Sequence, residues 1–134
     1  TLDDHALKRA EMDYAIGFEI ERFDTFEEFL KAHPNEEGYY VTRYSNKTYS
    51  DYDLKDVSKN YFFMFGREST GIPKEILVEH FSHTMRIPMA IDARSLNLSN
   101  SVAIVLSEAL RQQNFYSLAT EETIKGADFL SRFK

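Results

Sequence analysis

The chain has 134 residues, 43% of them hydrophobic and 14% aromatic, enough to bury one core, and we expect a single compact domain over residues 1–134. It contains no cysteine, which excludes disulfides, thiolate nucleophiles and cysteine-based zinc or iron–sulfur centres. Sixteen Lys and Arg stand against 22 Asp and Glu, a net charge of −6, so any polyanion would have to be held by a local basic face. No apolar run reaches the roughly 20 residues that cross a bilayer, and Thr1-Leu2-Asp3-Asp4 does not open a signal peptide, so a soluble, cytoplasmic protein with no membrane partner is expected.

In chain order, Thr1 and Asp4 fit a capping box for a short helix with Leu7, Ala10 and Met12 inward, and Ile16, Phe18 and Ile20 alternate as in a half-buried strand. The chain does not start with Met, and its opening reads as that of a fragment. Thr25 to Glu28 forms a second capping box, opening a helix that turns Phe26, Phe29 and Leu30 inward and stops before Pro34. A strand follows over Tyr39 to Arg43, then a polar, tyrosine-rich loop to Lys59 with room for one helical turn. The apolar run Tyr61 to Phe65 reads as a central parallel strand covered on both faces. Pro73 suits the first turn of a helix through about His80, and Met85 to Ile87 a short strand ended by Pro88. From Ser99 to Asn114, Val102, Val105, Leu106, Ala109 and Leu110 share one helical face; from Thr120, Ile124, Ala127, Leu130 and Phe133 give only a weak further helix. Strands and helices alternate, the pattern of an α/β fold.

Two segments carry candidate chemistry. Gly66-Arg67-Glu68-Ser69-Thr70-Gly71-Ile72-Pro73 leaves the apolar strand directly, and a glycine at the C-terminal edge of a strand lets a ligand approach the backbone. Ile72-Pro73 stands where a phosphate-binding loop needs Lys-Ser/Thr, which rules out a nucleotide triphosphatase. A plain strand-to-helix turn remains the alternative. The second segment runs from Arg86 to Ser101 and holds Ser95, Asn97, Ser99 and Asn100, more small hydrogen-bonding side chains than one helix cap requires. Arg86, Arg94 and Arg111 lie in or beside it as possible basic contacts. No carboxylate completes a metal site with His80 and His83, so no metal is expected, and Ser69 and Ser95 lack the sharp turn of a serine nucleophile. Tyr39, Tyr40, Tyr44, Tyr49 and Tyr52 either stack on unpaired bases or pack in core and loops.

Taken together, Tyr61 to Pro73, Arg86-Ile87-Pro88-Met89 and Arg94-Ser95-Leu96-Asn97-Leu98-Ser99-Asn100 resemble, in content, order and spacing, the last two motifs of the SPOUT methyltransferases. The likeness is greatest to the tRNA (cytidine/uridine-34-2′-O)-methyltransferase branch and spans about residues 2 to 116, helped by Leu7-Lys8-Arg9-Ala10 with Asp13-Tyr14 and by Glu108 to Gln112. Residues 117–134 fall outside it as a divergent tail. The resemblance implies a parallel sheet flanked by helices with a C-terminal deep trefoil knot, and methyl transfer from S-adenosyl-L-methionine to the ribose 2′-hydroxyl of tRNA position 34, in the anticodon stem-loop. Ribosomal RNA as substrate and a non-catalytic RNA-binding module of the same fold are the alternatives. It also implies that Val41, Thr42, Gly66, Ile87, Ser95, Leu96 and Leu98 hold the cofactor, that Glu68, Ser95 and Asn97 stand at the reaction centre, and that Arg67, Arg94 and Asn100 contact RNA. Members are homodimers, and the helix carrying Val102 to Leu110 would supply part of the interface unless its apolar face is monomer core. The family's first strand and its Asn- and Arg-bearing loop have no counterpart in Thr1 to Arg9, so that segment is expected to be missing here.

Overall fold

The computed structural model describes residues 20–67, 69–92 and 96–133. The expected helix before Met12, the alternation that begins at Ile16, and Glu68, Arg94 and Ser95 lie outside the described residues. Contacts divide the chain into two compact units, residues 1–34 and 35–134.

In the first unit, helix α1 spans Phe26–Ala32. The Thr25 hydroxyl accepts the Glu28 N–H (3.2 Å), and the Glu28 carboxylate accepts the Asp24 N–H (3.1 Å), so the reciprocal cap reaches one residue further back than a capping box. Phe29 packs on Phe23 and Phe26, with ring centroids 5.7 and 6.2 Å apart. The helix ends two residues before Pro34, as the steric restriction before proline requires.

Among the described residues the second unit holds three parallel strands, β1 (Glu37–Val41), β2 (Tyr61–Met64) and β3 (Thr84–Met85), in the order β2-β1-β3. Helices α2 (Lys74–Glu79) and α3 (Leu98–Gln112) follow β2 and β3. Parallel strands need crossovers, and the connection from β2 to β3 runs through α2. Among the described residues the central strand is β1, while β2 flanks it with all four residues half-buried. The continuous apolar run at β2 therefore marks a strand packed on both faces but not the middle of the described sheet.

Both faces of β1 are covered. On one side Tyr39 joins Leu54, Met85, Ile87, Val105 and Ala109 in the core, with Tyr52, Phe63 and Ile104 packed around it. On the other, the Tyr40 ring meets Phe62 edge-on at 5.9 Å and stacks on His80 at 4.7 Å, just beyond the end of α2. Gly38 makes room for that arrangement, since a Cβ there would fall 2.1 Å from the Phe62 ring. His83 stacks on Tyr39 at 5.1 Å and its Nδ1–H donates to the Gly38 carbonyl (2.9 Å). Both histidines raised as possible ligands are thus spent on packing the sheet.

The loop after β1 contains one 3-10 turn, Tyr49–Asp51, capped reciprocally by Thr48 and Asp51. Its neighbour Tyr52 donates its hydroxyl to the carbonyls of Thr84 and Ser82, tying the loop to β3. In α3, Val105 and Ala109 are buried in the core, whereas Leu106 is 42% exposed. The helix stops at Gln112 because Asn114, Phe115 and Ser117 take left-handed backbone angles. No α-helix follows from Thr120; the tail has a single 3-10 segment, Phe129–Phe133, and leaves Ile124, Leu130 and Phe133 largely exposed. The weak apolar repeat there has no opposing surface among the described residues to pack against.

Candidate functional site

The C-terminal ends of β1 and β2, the residues after β3 and the start of α3 surround one cleft of about 790 Å³. This is where an open α/β sheet collects its ligands, because the strands end there and loops and helix starts converge. Val41 and Thr42 come from the end of β1, Phe65, Gly66 and Arg67 from the end of β2, Ile87 and Met89 from beyond β3, and Leu96, Asn97, Leu98 and Ser101 from the entry to α3. Six of the seven expected cofactor positions, Val41, Thr42, Gly66, Ile87, Leu96 and Leu98, therefore line one cavity, together with Asn97 and Arg67. Asn100 does not line it; one residue further along α3, Ser101 does, because successive helical residues point about 100° apart. The remaining expected residues, Glu68, Arg94 and Ser95, are those outside the described residues.

The glycine-rich loop is built around its own backbone. A Cβ on Gly66 would lie 2.2 Å from the Gly71 carbonyl carbon and 2.3 Å from the Ile72 nitrogen, so the atoms that approach Gly66 most closely belong to this chain. The Gly71 N–H donates to the Arg67 carbonyl (2.8 Å), closing the loop, and Gly71 has φ +71°, a left-handed angle that disfavours any side chain. Among the described residues, its chain neighbours aside, no atom lies within 4 Å of a notional Cβ on Gly71. The two glycines thus serve different ends: Gly66 permits a close crossing of backbone, and Gly71 permits a turn.

Asn97 is the N-cap of α3, its side-chain oxygen accepting the Ser99 N–H at 2.8 Å. That bond fixes the amide plane at the cavity wall and leaves the NH₂ group as the donor the cavity can use. Arg86 is committed elsewhere. Its guanidinium donates to the Arg43 carbonyl (2.8 Å), its N–H to the Lys47 carbonyl (2.8 Å), and its own carbonyl accepts the Tyr49 N–H (3.1 Å). Arg111 is also committed, in a bidentate pair with Glu108 at 2.8 and 3.1 Å that lowers the Glu108 pKa. The basic groups at the cavity are instead Arg43 and Arg67, both exposed, and no acidic side chain lines it among the described residues.

Sequence alone does not single out Arg43, Phe65, Ser69, Thr70, Gly71, Ile72, Leu77, Met89 and Ser101 as cavity residues, and it marks Tyr44 only as one of five tyrosines. Their signal was positional: each lies within a few residues of a strand end or helix start already marked, and only the β2-β1-β3 order shows that those ends meet.

A surface lined by Val41, Ile72, Ile87, Leu96 and Leu98 together with hydroxyl, amide and guanidinium groups suits a ligand with an apolar aromatic part and polar substituents. Comparison with known proteins agrees. Residues 1–107 match the model of the SpoU rRNA Methylase family. A Geobacillus stearothermophilus protein, whose name proposes a tRNA (cytidine(34)-2′-O)-methyltransferase, is 45% identical over 117 residues, covering 87% of this chain and 74% of its own length. A solved structure described as giving insight into the 2-OH methylation of C/U34 on tRNA superimposes with a TM-score of 0.72 at 30% identity, covering 86% of this chain and 73% of the other. An AdoMet-bound rRNA methyltransferase of Sinorhizobium meliloti does so at 0.68 and 28%, covering 87% of this chain and 43% of the other. On the family match and on these relatives, the chain belongs to the SpoU rRNA Methylase family.

Proposed function

We propose that this chain is an S-adenosyl-L-methionine-dependent methyltransferase acting on the ribose 2′-hydroxyl of nucleotide 34 in the anticodon stem-loop of a tRNA. The observation that carries this reading is the convergence of Val41, Thr42, Gly66, Ile87, Leu96, Asn97 and Leu98 on one cleft, in a chain whose relatives are named for that reaction.

The cleft fits the cofactor in size and character. Its roughly 790 Å³ lies in the range of small-molecule sites, and its apolar side chains offer adenine a dry surface while Thr42, Ser69, Thr70 and Asn97 offer hydrogen bonds. When bound, the cofactor supplies an activated methyl group on a sulfonium. The chain has to align a poor nucleophile, a ribose hydroxyl, and help it lose its proton. In this reading the Asn97 amide, held by its cap bond, orients the ribose from the α3 side. Glu68 and Ser95, at polar positions that the family motifs share, complete the reaction centre. Arg67, with Arg94 and Asn100, holds the RNA backbone; an exposed guanidinium on the cavity wall is suited to phosphate.

The same proposal takes residues 1–134 as one methyltransferase domain with 117–134 as an appended tail, threaded as the family's deep trefoil knot and assembled as a cytoplasmic homodimer. The family match through residues 1–107 supports the first, and no described helix is long and apolar enough to cross a membrane. In support of the dimer, Leu106 and Leu110 of α3 edge a groove shared with Tyr61 and Phe63, while Leu106 stays partly exposed.

Incubation with methyl-labelled S-adenosyl-L-methionine and tRNA, followed by mapping of the modified nucleotide, tests the reading. A 2′-O-methyl group at position 34 is expected; a label confined to another position, to a base or to ribosomal RNA would overturn it.

A further inference from the structure

Five tyrosines lie between Tyr39 and Tyr52, and the fold separates one from the rest. Tyr39 and Tyr40 are buried on the two faces of β1, and Tyr49 and Tyr52 pack against the core. Tyr44 alone of the five both lines the cleft and is 66% exposed. Tyr44 thus presents an aromatic side chain to water at the cleft itself, and its backbone is not loose. The Tyr44 N–H donates to the Thr42 hydroxyl (3.2 Å), the next residue Ser45 is buried and accepts the Lys47 N–H (3.2 Å), and Arg86 holds the preceding carbonyl, that of Arg43, at 2.8 Å.

The Arg43 guanidinium lies over the Tyr44 ring, 5.0 Å from its centroid. It braces the ring by a cation–π contact, and with that contact made Tyr44 is still 66% exposed. Arg43 and Arg67 bring positive charge to the cleft from the ends of β1 and β2, in a chain that is acidic as a whole. An exposed aromatic ring braced by one guanidinium, with a second guanidinium on the same cleft and no acidic side chain lining it among the described residues, is how proteins hold an unstacked base and its phosphate.

We infer that Tyr44 is the platform on which the base of the target nucleotide stacks, braced by Arg43, so that it is a substrate-positioning residue of this enzyme. The inference rests on the proposed function in taking an RNA nucleotide as the substrate of the cleft. Stacking on a ring face carries little base preference, so Tyr44 would accept either pyrimidine at the target position and leave discrimination to other groups.

The test uses an anticodon stem-loop RNA carrying the fluorescent cytosine analogue pyrrolocytosine at position 34, with the parent chain, Tyr44→Phe and Tyr44→Ala, and titration of S-adenosylhomocysteine into each. The parent and Tyr44→Phe are expected to quench the fluorophore; Tyr44→Ala should lose the quench and bind the RNA about tenfold or more weakly, with unchanged affinity for S-adenosylhomocysteine. Equal quenching and RNA affinity in Tyr44→Ala, or absence of quenching by the parent chain, would overturn the inference. So would a loss of S-adenosylhomocysteine binding with RNA binding intact, since the ring would then hold the cofactor's adenine. A Tyr44-dependent quench in a chain that transfers no methyl group to position 34 would sustain the inference and remove the functional reading instead.

Discussion

The two ends of α3 are built on opposite principles. At its C-terminal end Gln112 accepts the Leu54 N–H (2.7 Å) and donates to the carbonyl of Tyr52 (3.0 Å) and to Glu108 (2.8 Å), while Gln113 donates to the Leu54 carbonyl (2.9 Å). Leu54 sits inside that set of bonds, 1% exposed. At the N-terminal end, Asn97 makes one cap bond, Leu96 and Leu98 are 37% and 41% exposed, and the helix opens on the cleft. One end spends its polar groups on holding the loop; the other leaves polar and apolar groups facing a cavity. A rigid anchor at one end is what lets the other present groups at fixed positions without being filled by them.

Breaking the anchor should cost the most stability. Leu54→Ala removes a fully buried side chain from the core and is expected to destabilise the fold by about 2–5 kcal/mol, read as a shift in the midpoint of denaturant unfolding. At the open end, the two glycines of the loop after β2 should behave differently. Gly66→Ala drives a methyl group into the Gly71–Ile72 backbone and is expected to cost about 1–3 kcal/mol or more. Gly71→Ala meets no atom of the described residues and should cost only the left-handed backbone penalty of about 1–2 kcal/mol. A loss in Gly71→Ala larger than that in Gly66→Ala would contradict the distinction between a close crossing and a turn.

The smallest expected effect comes from acid. The Glu108 carboxyl is held below the usual carboxylate range, first by its bond to Arg111 and then by its bond to Gln112. A depressed folded-state pKa contributes stability that is present at neutral pH, above the unfolded value, and is lost as pH falls through the folded value. Stability measured from neutral pH downward should therefore fall less in Glu108→Gln than in the parent chain. The difference is small because Arg111 lies in solvent.

Local signals in the sequence were legible where the structure depends on neighbours a few residues apart. The Thr25 cap and the apolar face of Val105 and Ala109 follow from spacing along the chain, whereas the polar loop after β1 showed only room for a turn and not its place at Tyr49–Asp51. The cavity was legible only through resemblance, because its walls come from three strand ends whose adjacency is a property of the sheet. What composition and spacing could not reveal was which tyrosine stays in water, that Gly66 is crossed by its own chain, and that Arg43 rather than Arg86 lines the cleft, its guanidinium over the Tyr44 ring. Each of these is decided by long-range backbone contacts, such as the Arg86 bonds that reach back to Arg43 and Lys47.

The central claim is that the cleft at the start of α3 holds the methyl donor. Calorimetric titration of S-adenosylhomocysteine into the parent chain and into Leu98→Trp tests it most directly. Leu98 is partly exposed on the cavity wall, so the larger ring fills the cleft without disturbing the core. The account predicts saturable binding by the parent chain and loss of that binding in Leu98→Trp at an unchanged melting temperature; unaltered affinity in the variant would contradict it.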